Sequence, residues 1–369
     1  MSLQEEINIA RAEIKTESYA MSIGEWISLY DRGEIDIHPE FQRYYRWSDY
    51  QKSRLIESIL LGIPIPEIFV AQREDGVWDV VDGLQRLSTI FEFVGILKDK
   101  EGNLLEPLEL TETKYLPSLK GKKWNVSDNE ESSFDLTQRL IVKRSRIGVS
   151  IILRESDEKS KYELFQRLNT GGSPLSPQEV RNSILVMMNS DVYEWIRELS
   201  RNEDFKECVS LTDKALQEQY DMDIVLRFII FRTIGAEALN NIGDVNEFLT
   251  DYMIDEIVEE NFDKGNETDA FKTTFKVLNE GMGDDSFKRY DFDKERFLGG
   301  FLVSAFELVA LGIGYNYEYI AENNKYIRDK IITLWDNVEF TYNSGSGVRA
   351  STRIPRVLEL GRRAFSEDE

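Results

Sequence analysis

Two residue types that build many small active sites are nearly missing from this chain of 369 residues, which has one cysteine, Cys208, and one histidine, His38. A single cysteine excludes an internal disulfide framework and a cysteine-based zinc site. A single histidine excludes a histidine-rich metal cage and a nuclease of the His-Asn-His type. A Ser-His-Asp triad would have to recruit His38, which precedes Pro39 with no nucleophile motif nearby. His38 therefore reads as a partly exposed loop residue, and Cys208 as a buried apolar one. No run approaches the roughly 20 apolar residues of a membrane span. The N-terminus, MSLQEEINIARAEIKTES, has no signal-peptide hydrophobic region, so a cytoplasmic location is expected. Positive charge is short as well: 45 Lys and Arg stand against 68 Asp and Glu, for a net charge of −23. That balance opposes indiscriminate binding to DNA or to an anionic membrane over the whole surface.

What is present suffices for two globular domains of ordinary size, with 41% hydrophobic residues and aromatics spread along the chain. The most informative run is Val80-Val81-Asp82-Gly83-Leu84-Gln85-Arg86-Leu87-Ser88-Thr89. A β-branched segment ends in Asp-Gly, and Leu87, Ile90, Phe91, Val94 and Leu97 then recur at helical spacing. Asp82, Gln85 and Arg86 thus sit at a strand-to-helix turn. There a guanidinium, an amide and backbone N–H groups can converge on an anion at the positive end of a helix.

The rest of the first half reads as mixed α/β. A helix over 49–61 has Ser48 as N-cap and Gln51 three residues on, the pattern of a capping box, and Gly62 and Pro64 stop it. Strands are expected at 68–71 and 77–81, and the helix after Asp82 runs to about residue 98. Residues 99–134, with Gly102, Pro107, Pro117 and Gly121, read as an insertion or long loop. The run 140–153 reads as one or two buried strands. A helix from about 158 ends near Asn169, and a new one begins with Ser176 as N-cap, Pro177 at its first position and Glu179 at its third. This corner either projects Arg167, Asn169, Glu179 and Asn182 near one another or is simply a well-capped turn. Beyond about 189 the pattern is helical, at 192–199, 213–234, 245–260, 269–280, 294–311 and 320–335. The sequence therefore predicts an α+β chain: a domain over 1–190 with an insertion at about 99–134, then a helical domain over 191–369.

Two further groups stand out. Gln42-Arg43 and Gln85-Arg86 form two Gln-Arg pairs, each just before a helix. An arginine fork suits bidentate phosphate recognition, or each arginine staples loops by pairing with Asp82, Asp79 or Glu40. Arg349, Arg353, Arg356, Arg362 and Arg363 stand against only Glu359, and Arg139, Lys143, Arg144 and Arg146 form a second basic cluster. Each is either a nucleic-acid contact or a solvated, acid-paired face.

The segments Pro39–Trp47, Leu55–Pro66, Val81–Thr89 and Phe165–Asn182, in this order and spacing, resemble the GmrSD restriction endonuclease N-terminal family over about residues 20–190. The resemblance implies a ParB/sulfiredoxin-like α/β domain with a small mixed sheet. It also implies an Asp-Gly-Gln-Gln-Arg motif associated with nucleotide binding and hydrolysis, and a place in the restriction of foreign DNA. Carried over by position, Asp82, Gln85 and Arg86 would be catalytic, with Mg²⁺ at Asp82. Gln42, Arg43, Gly83, Arg86, Arg167 and Asn169 would bind nucleotide phosphates, and Arg349, Arg353 and Arg356 are the candidates for DNA. The expected partners are a nucleoside triphosphate, DNA and a nuclease protein, with no membrane. The chain departs from the family pattern twice. Leu84 replaces the first motif glutamine, and with one histidine the chain is expected to lack the C-terminal His-Asn-His nuclease domain that many relatives carry. An interaction scaffold that has lost its chemistry is the remaining alternative.

Overall fold

A computed structural model of the protein describes residues 2–3, 15–37, 47–99, 101–126, 131–154, 156, 176–239, 241–259, 261–344 and 347–367. The chain divides into two compact units, Met1–Pro174 and Leu175–Glu369.

The first unit is built on a five-stranded sheet. Its strands are β1 (Thr16–Ser22), β2 (Ile35–Asp36), β3 (Ile68–Gln72), β4 (Trp78–Asp82) and β5 (Arg146–Ile152), in the order β1-β5-β3-β4-β2. The sheet is mixed. β1 runs antiparallel to β5 and β3 antiparallel to β4, whereas β3 is parallel to β5 and β2 to β4. Alternation along the strands sends Ile68, Val70, Ile147, Val149 and Ile151 into one hydrophobic core. Among the described residues four helices belong to this unit: α1 (Ile23–Asp31), α2 (Asp49–Leu60), α3 (Leu84–Val94) and α4 (Leu136–Arg144). From them Trp26, Ile56, Phe91 and Val142 enter the same core, each fully buried.

Local chemistry sets the boundaries. Ser48 and Gln51 form the expected capping box at the start of α2. Helix α3 ends at Val94 rather than near 98, because Gly95, at φ 81°, closes it in the left-handed conformation. The run 140–153 is corrected: its first part is helical, and only Arg146–Ile152 is strand. The deciding signal lies upstream, where Asp135 and Gln138 form a capping box that starts α4. Strand β1 and helix α1 add to the elements that the sequence pattern signals. Residues 101–126 and 131–134 contain little regular structure beyond a 3₁₀ turn at Pro117–Leu119. They nevertheless bury Leu108, Leu110, Leu119, Trp124 and Phe134 in the core. Buried Glu57 of α2 clamps this segment: its Oε1 accepts from the Thr113 hydroxyl at 2.5 Å and from the Tyr115 and Leu116 N–H groups at 2.8 and 3.0 Å.

The second unit is mostly helical, with a short hairpin of β6 (Arg289–Asp291) and β7 (Arg296–Leu298). The hairpin and a non-helical stretch occupy the front of the segment expected as a helix over 294–311. The helix there is α13 (Val303–Tyr315). In chain order the helices before it are α5 (Pro177–Met188), α6 (Ser190–Ser200), α7 (Glu203–Cys208), α8 (Asp213–Gln217), α9 (Tyr220–Thr233), α10 (Ala236–Leu239), α11 (Val245–Tyr252) and α12 (Lys264–Gly281). After it come α14 (Tyr317–Glu322), α15 (Ile327–Leu334), α16 (Val338–Asn343) and α17 (Ala350–Ala364). Ser176, Pro177 and Glu179 start α5 as predicted. The helix expected over 213–234 breaks in two at Gln219, whose φ is 57°.

Helices α9 and α13 are buried almost along their whole length. Helix α17 meets α13 at two glycines. A Cβ at Gly361 would lie 2.2 Å from the Leu308 carbonyl oxygen, and one at Gly312 would lie 2.5 Å from the Gly361 carbonyl oxygen. Only residues without side chains allow that approach. Cys208 is buried, as expected, and burial raises its thiol pKa to about 12. Among the described residues no helix is long and apolar enough to cross a membrane.

Candidate functional site

The strand-to-helix turn forms as the sequence indicates. β4 ends at Asp82, Gly83 makes the turn at φ 104°, and Leu84 opens α3. Two constraints fix glycine at this point. The backbone angle is one that L residues rarely adopt, and a Cβ would stand 2.3 Å from Cδ1 of Ile68, a fully buried residue. No side chain caps the helix, whose first internal bond runs from Leu87 N–H to the Gly83 carbonyl at 2.9 Å.

A bulge decides where Asp82 points. Trp78 and Val80 belong to the core side of β4, so strict alternation would turn Asp82 inward with them. The register slips between Val70 and Phe69: Val70 faces Val80, but Phe69 faces Asp82, with Val81 as the extra residue. Asp82 thereby joins Phe69 on the sheet face away from that core. Its carboxylate is a third exposed and accepts from Arg86 Nη2 at 2.6 Å, one helical turn on. The same guanidinium nitrogen lies 3.3 Å from the position a Cβ would take on Gly83, so Arg86 folds back over the turn. The backbone carbonyl of Gln85 accepts from the Thr89 hydroxyl at 2.7 Å.

Leu84, at the position of the missing motif glutamine, packs half-buried against the core. The turn forms with leucine at this position. Asp79 is taken by Arg73, which also reaches Asp36 at 2.7 Å. Arg73 therefore ties β2 and β4 to the β3–β4 turn in which it lies.

The outward face that carries Asp82 holds a polar row. Ser18 of β1 lies 2.8 Å from Ser150 of β5, and Ser150 donates to Glu67 Oε2 at 3.2 Å. Sequence reasoning did not single out Glu67. It carries no motif of its own, and only the pairing register brings it to this face.

Gln42, Arg43, Arg167 and Asn169 lie outside the described residues, as does His38. Of the corner at 165–182, Glu179 is spent on its own cap, accepting from Ser176 N–H at 2.6 Å. Asn182 is fully buried, accepts from Gln178 at 2.8 Å and donates to Gln219. Beside it Arg181, 1% exposed, pairs with Asp223 and takes the Gln178 side-chain oxygen at 2.7 Å. Arg227 holds the other oxygen of Asp223 at 2.6 Å.

The basic segment at 349–363 splits by orientation. Arg353 grips buried Glu307 at 2.6 and 2.9 Å, a geometry that welds α17 to α13. Arg362 donates to the carbonyls of Phe231, Arg232 and Ile234 at 3.1, 2.9 and 2.9 Å, capping the end of α9. Arg349, Arg356 and Arg363 are exposed along α17 at intervals of seven residues, with Arg356 also reaching Asn343 at 3.2 Å. In the second cluster Lys143, Arg144 and Arg146 are exposed, whereas Arg139 donates to Asn125 at 3.4 Å.

Among the described residues no three His, Cys, Asp or Glu side chains come together as a metal site. Asp82 offers a single carboxylate. That fits a cation which reaches the site already bound to phosphate, the usual mode for Mg²⁺.

Residues 23–186 match the family model described as the GmrSD restriction endonuclease, N-terminal domain. No curated protein and no solved structure matches the chain.

Proposed function

We propose, from the match of residues 23–186 to the GmrSD restriction endonuclease N-terminal domain model, that the chain is a restriction or defence component whose Asp82–Arg86 turn binds and hydrolyses a nucleoside triphosphate. One observation supports this above the others. Helix α3 begins at a glycine with no side-chain cap, and Arg86 lies over that glycine in the first turn. An uncapped helix N-terminus with an arginine at its mouth is suited to a phosphate group, through backbone N–H groups, dipole and guanidinium together.

Phosphate would draw the Arg86 fork off Asp82 in part, and Asp82 would then hold the guanidinium from behind or serve as the protein ligand of Mg²⁺. The ion, when bound, neutralises phosphate charge. Gln85 would hydrogen-bond the nucleotide from the same turn, and Gln42, Arg43, Arg167 and Asn169 would extend the site. The test is calorimetry with ATP and GTP, with and without Mg²⁺, on the wild type and on Arg86→Ala. The expected result is triphosphate binding that the substitution weakens at least tenfold. Equal affinity in the two proteins would refute the assignment.

DNA contact is a second reading, favoured by the exposed stripe of Arg349, Arg356 and Arg363 on α17. Arg353, locked to Glu307, would support that helix from within. Three phosphate contacts predict that log K falls with log salt at a slope of about −2.7.

A further inference from the structure

The face that carries Asp82 also carries a second carboxylate, built in with some care. Glu67 precedes β3 and lies beside Gly148 of β5, where a Cβ would stand 3.1 Å from Glu67 Cβ. Glycine at 148 therefore leaves the space across which the Glu67 side chain lies. Ser150 donates its one hydroxyl proton to Glu67 Oε2, so Ser18 supplies the proton of the Ser18–Ser150 bond. This two-serine relay fixes one carboxylate oxygen. The residue is otherwise exposed, and Oε1 makes no hydrogen bond within the described residues.

Register connects this group to the turn. Asp82 faces Phe69, and Glu67 is two residues before Phe69, on the same side of the sheet. Such diagonal neighbours lie about 7–8 Å apart in a regular ladder, their Cβ atoms somewhat closer, within reach of long side chains. That separation leaves room for a phosphoryl group and a water between the two carboxylates. Asp82 is committed to Arg86, whereas Glu67 has an oxygen to spare.

We propose that Glu67 is the general base of the triphosphate hydrolysis assigned to the Asp82–Arg86 turn. The role rests on that reading of the site. The water oxygen bonds to the terminal phosphorus, and the bond from that phosphorus to the bridging oxygen breaks. The diphosphate leaves with the electron pair, and the water proton passes to Glu67 Oε1, from which it is lost to solvent. The serine relay acts on the orientation of the carboxylate and does not itself transfer the proton.

The test compares wild type, Arg86→Ala and Glu67→Gln for ATP and GTP affinity by calorimetry and for phosphate release across pH. Thermal unfolding is followed alongside to confirm that each variant folds. Glu67→Gln is expected to keep affinity within twofold and to lower turnover by about 10²- to 10⁴-fold. It should also abolish the acid limb of the pH–rate profile. Unchanged turnover overturns the role, as does a parallel loss of affinity, which would make Glu67 a binding or structural group. A wild type that binds triphosphate without hydrolysing it leaves the site standing and overturns the base. A wild type that binds neither nucleotide removes the site and this role together.

Discussion

Replacing Gly83 by alanine tests the reasoning about the turn most directly. The substitution adds one methyl group at φ 104°, where an L residue costs about 1–2 kcal/mol. That methyl would meet Ile68 Cδ1 at 2.3 Å and Cγ2 at 3.3 Å. Ile68 is fully buried, so it has no solvent to swing into, and overpacking of this kind costs about 1–3 kcal/mol. The two effects together give a loss of about 3 kcal/mol, which is roughly 6–12 °C in Tm for a unit of this size. Urea and thermal unfolding of the full chain measure it. A second variant separates the terms. Ile68→Val removes Cδ1 and alone costs about 1 kcal/mol, but in the Gly83→Ala background it also removes the collision. The double variant should therefore be more stable than additivity predicts by about 1 kcal/mol or more. A loss below about 0.5 kcal/mol for Gly83→Ala, or strict additivity in the cycle, would refute the account of this turn.

Two further outcomes are expected. Burial raises the Glu57 pKa, but the hydrogen bonds from Thr113, Tyr115 and Leu116 outweigh it and hold the carboxyl below the ordinary glutamate value of 4.5. Its stabilisation is therefore complete above that value and is lost as pH falls through the lowered folded value. Glu57→Gln should flatten the acid limb of stability measured by urea unfolding, and an unchanged acid limb would count against the clamp. Arg181→Met should cost the second unit about 3 kcal/mol in urea unfolding, the low end for breaking a buried pair, because Arg227 still holds Asp223. A cost below about 1 kcal/mol would show that the Arg181–Asp223 pair is dispensable.

Much of the candidate turn was legible because its signals are local. Asp-Gly after a β-branched run specifies the strand end and the turn, and the spacing of Leu87, Ile90 and Phe91 specifies the helix. The capping boxes at Ser48–Gln51 and Ser176–Glu179 were readable for the same reason. The box at Asp135–Gln138 is equally local, but the β-branched residues at 140–153 span the end of that helix and the strand after it, so their apolar pattern does not separate the two. The direction of Asp82 was not legible. It depends on a bulge, and a bulge exists only relative to the partner strand. Glu67 was missed on similar grounds, since nothing within a few residues marks it and its neighbours Ser150 and Ser18 are far away in sequence. The arginines at 349–363 show the limit of reading charge along a line. Arg353 and Arg349 look alike in sequence, yet one is bound to a buried glutamate and the other is exposed.

The stretch with a family likeness and the stretch that packs as one body do not share a border. The family match runs to residue 186, whereas the compact units divide between Pro174 and Leu175. The last matched residues form most of α5, whose Arg181 and Asn182 reach Asp223 and Gln219 inside the helical unit. The matched segment is therefore divided between two packed units. Anyone cutting the gene at the family boundary would keep a helix whose charges have lost their partners and strip the remaining unit of its own arginine. A usable fragment has to ignore the likeness and follow the packing.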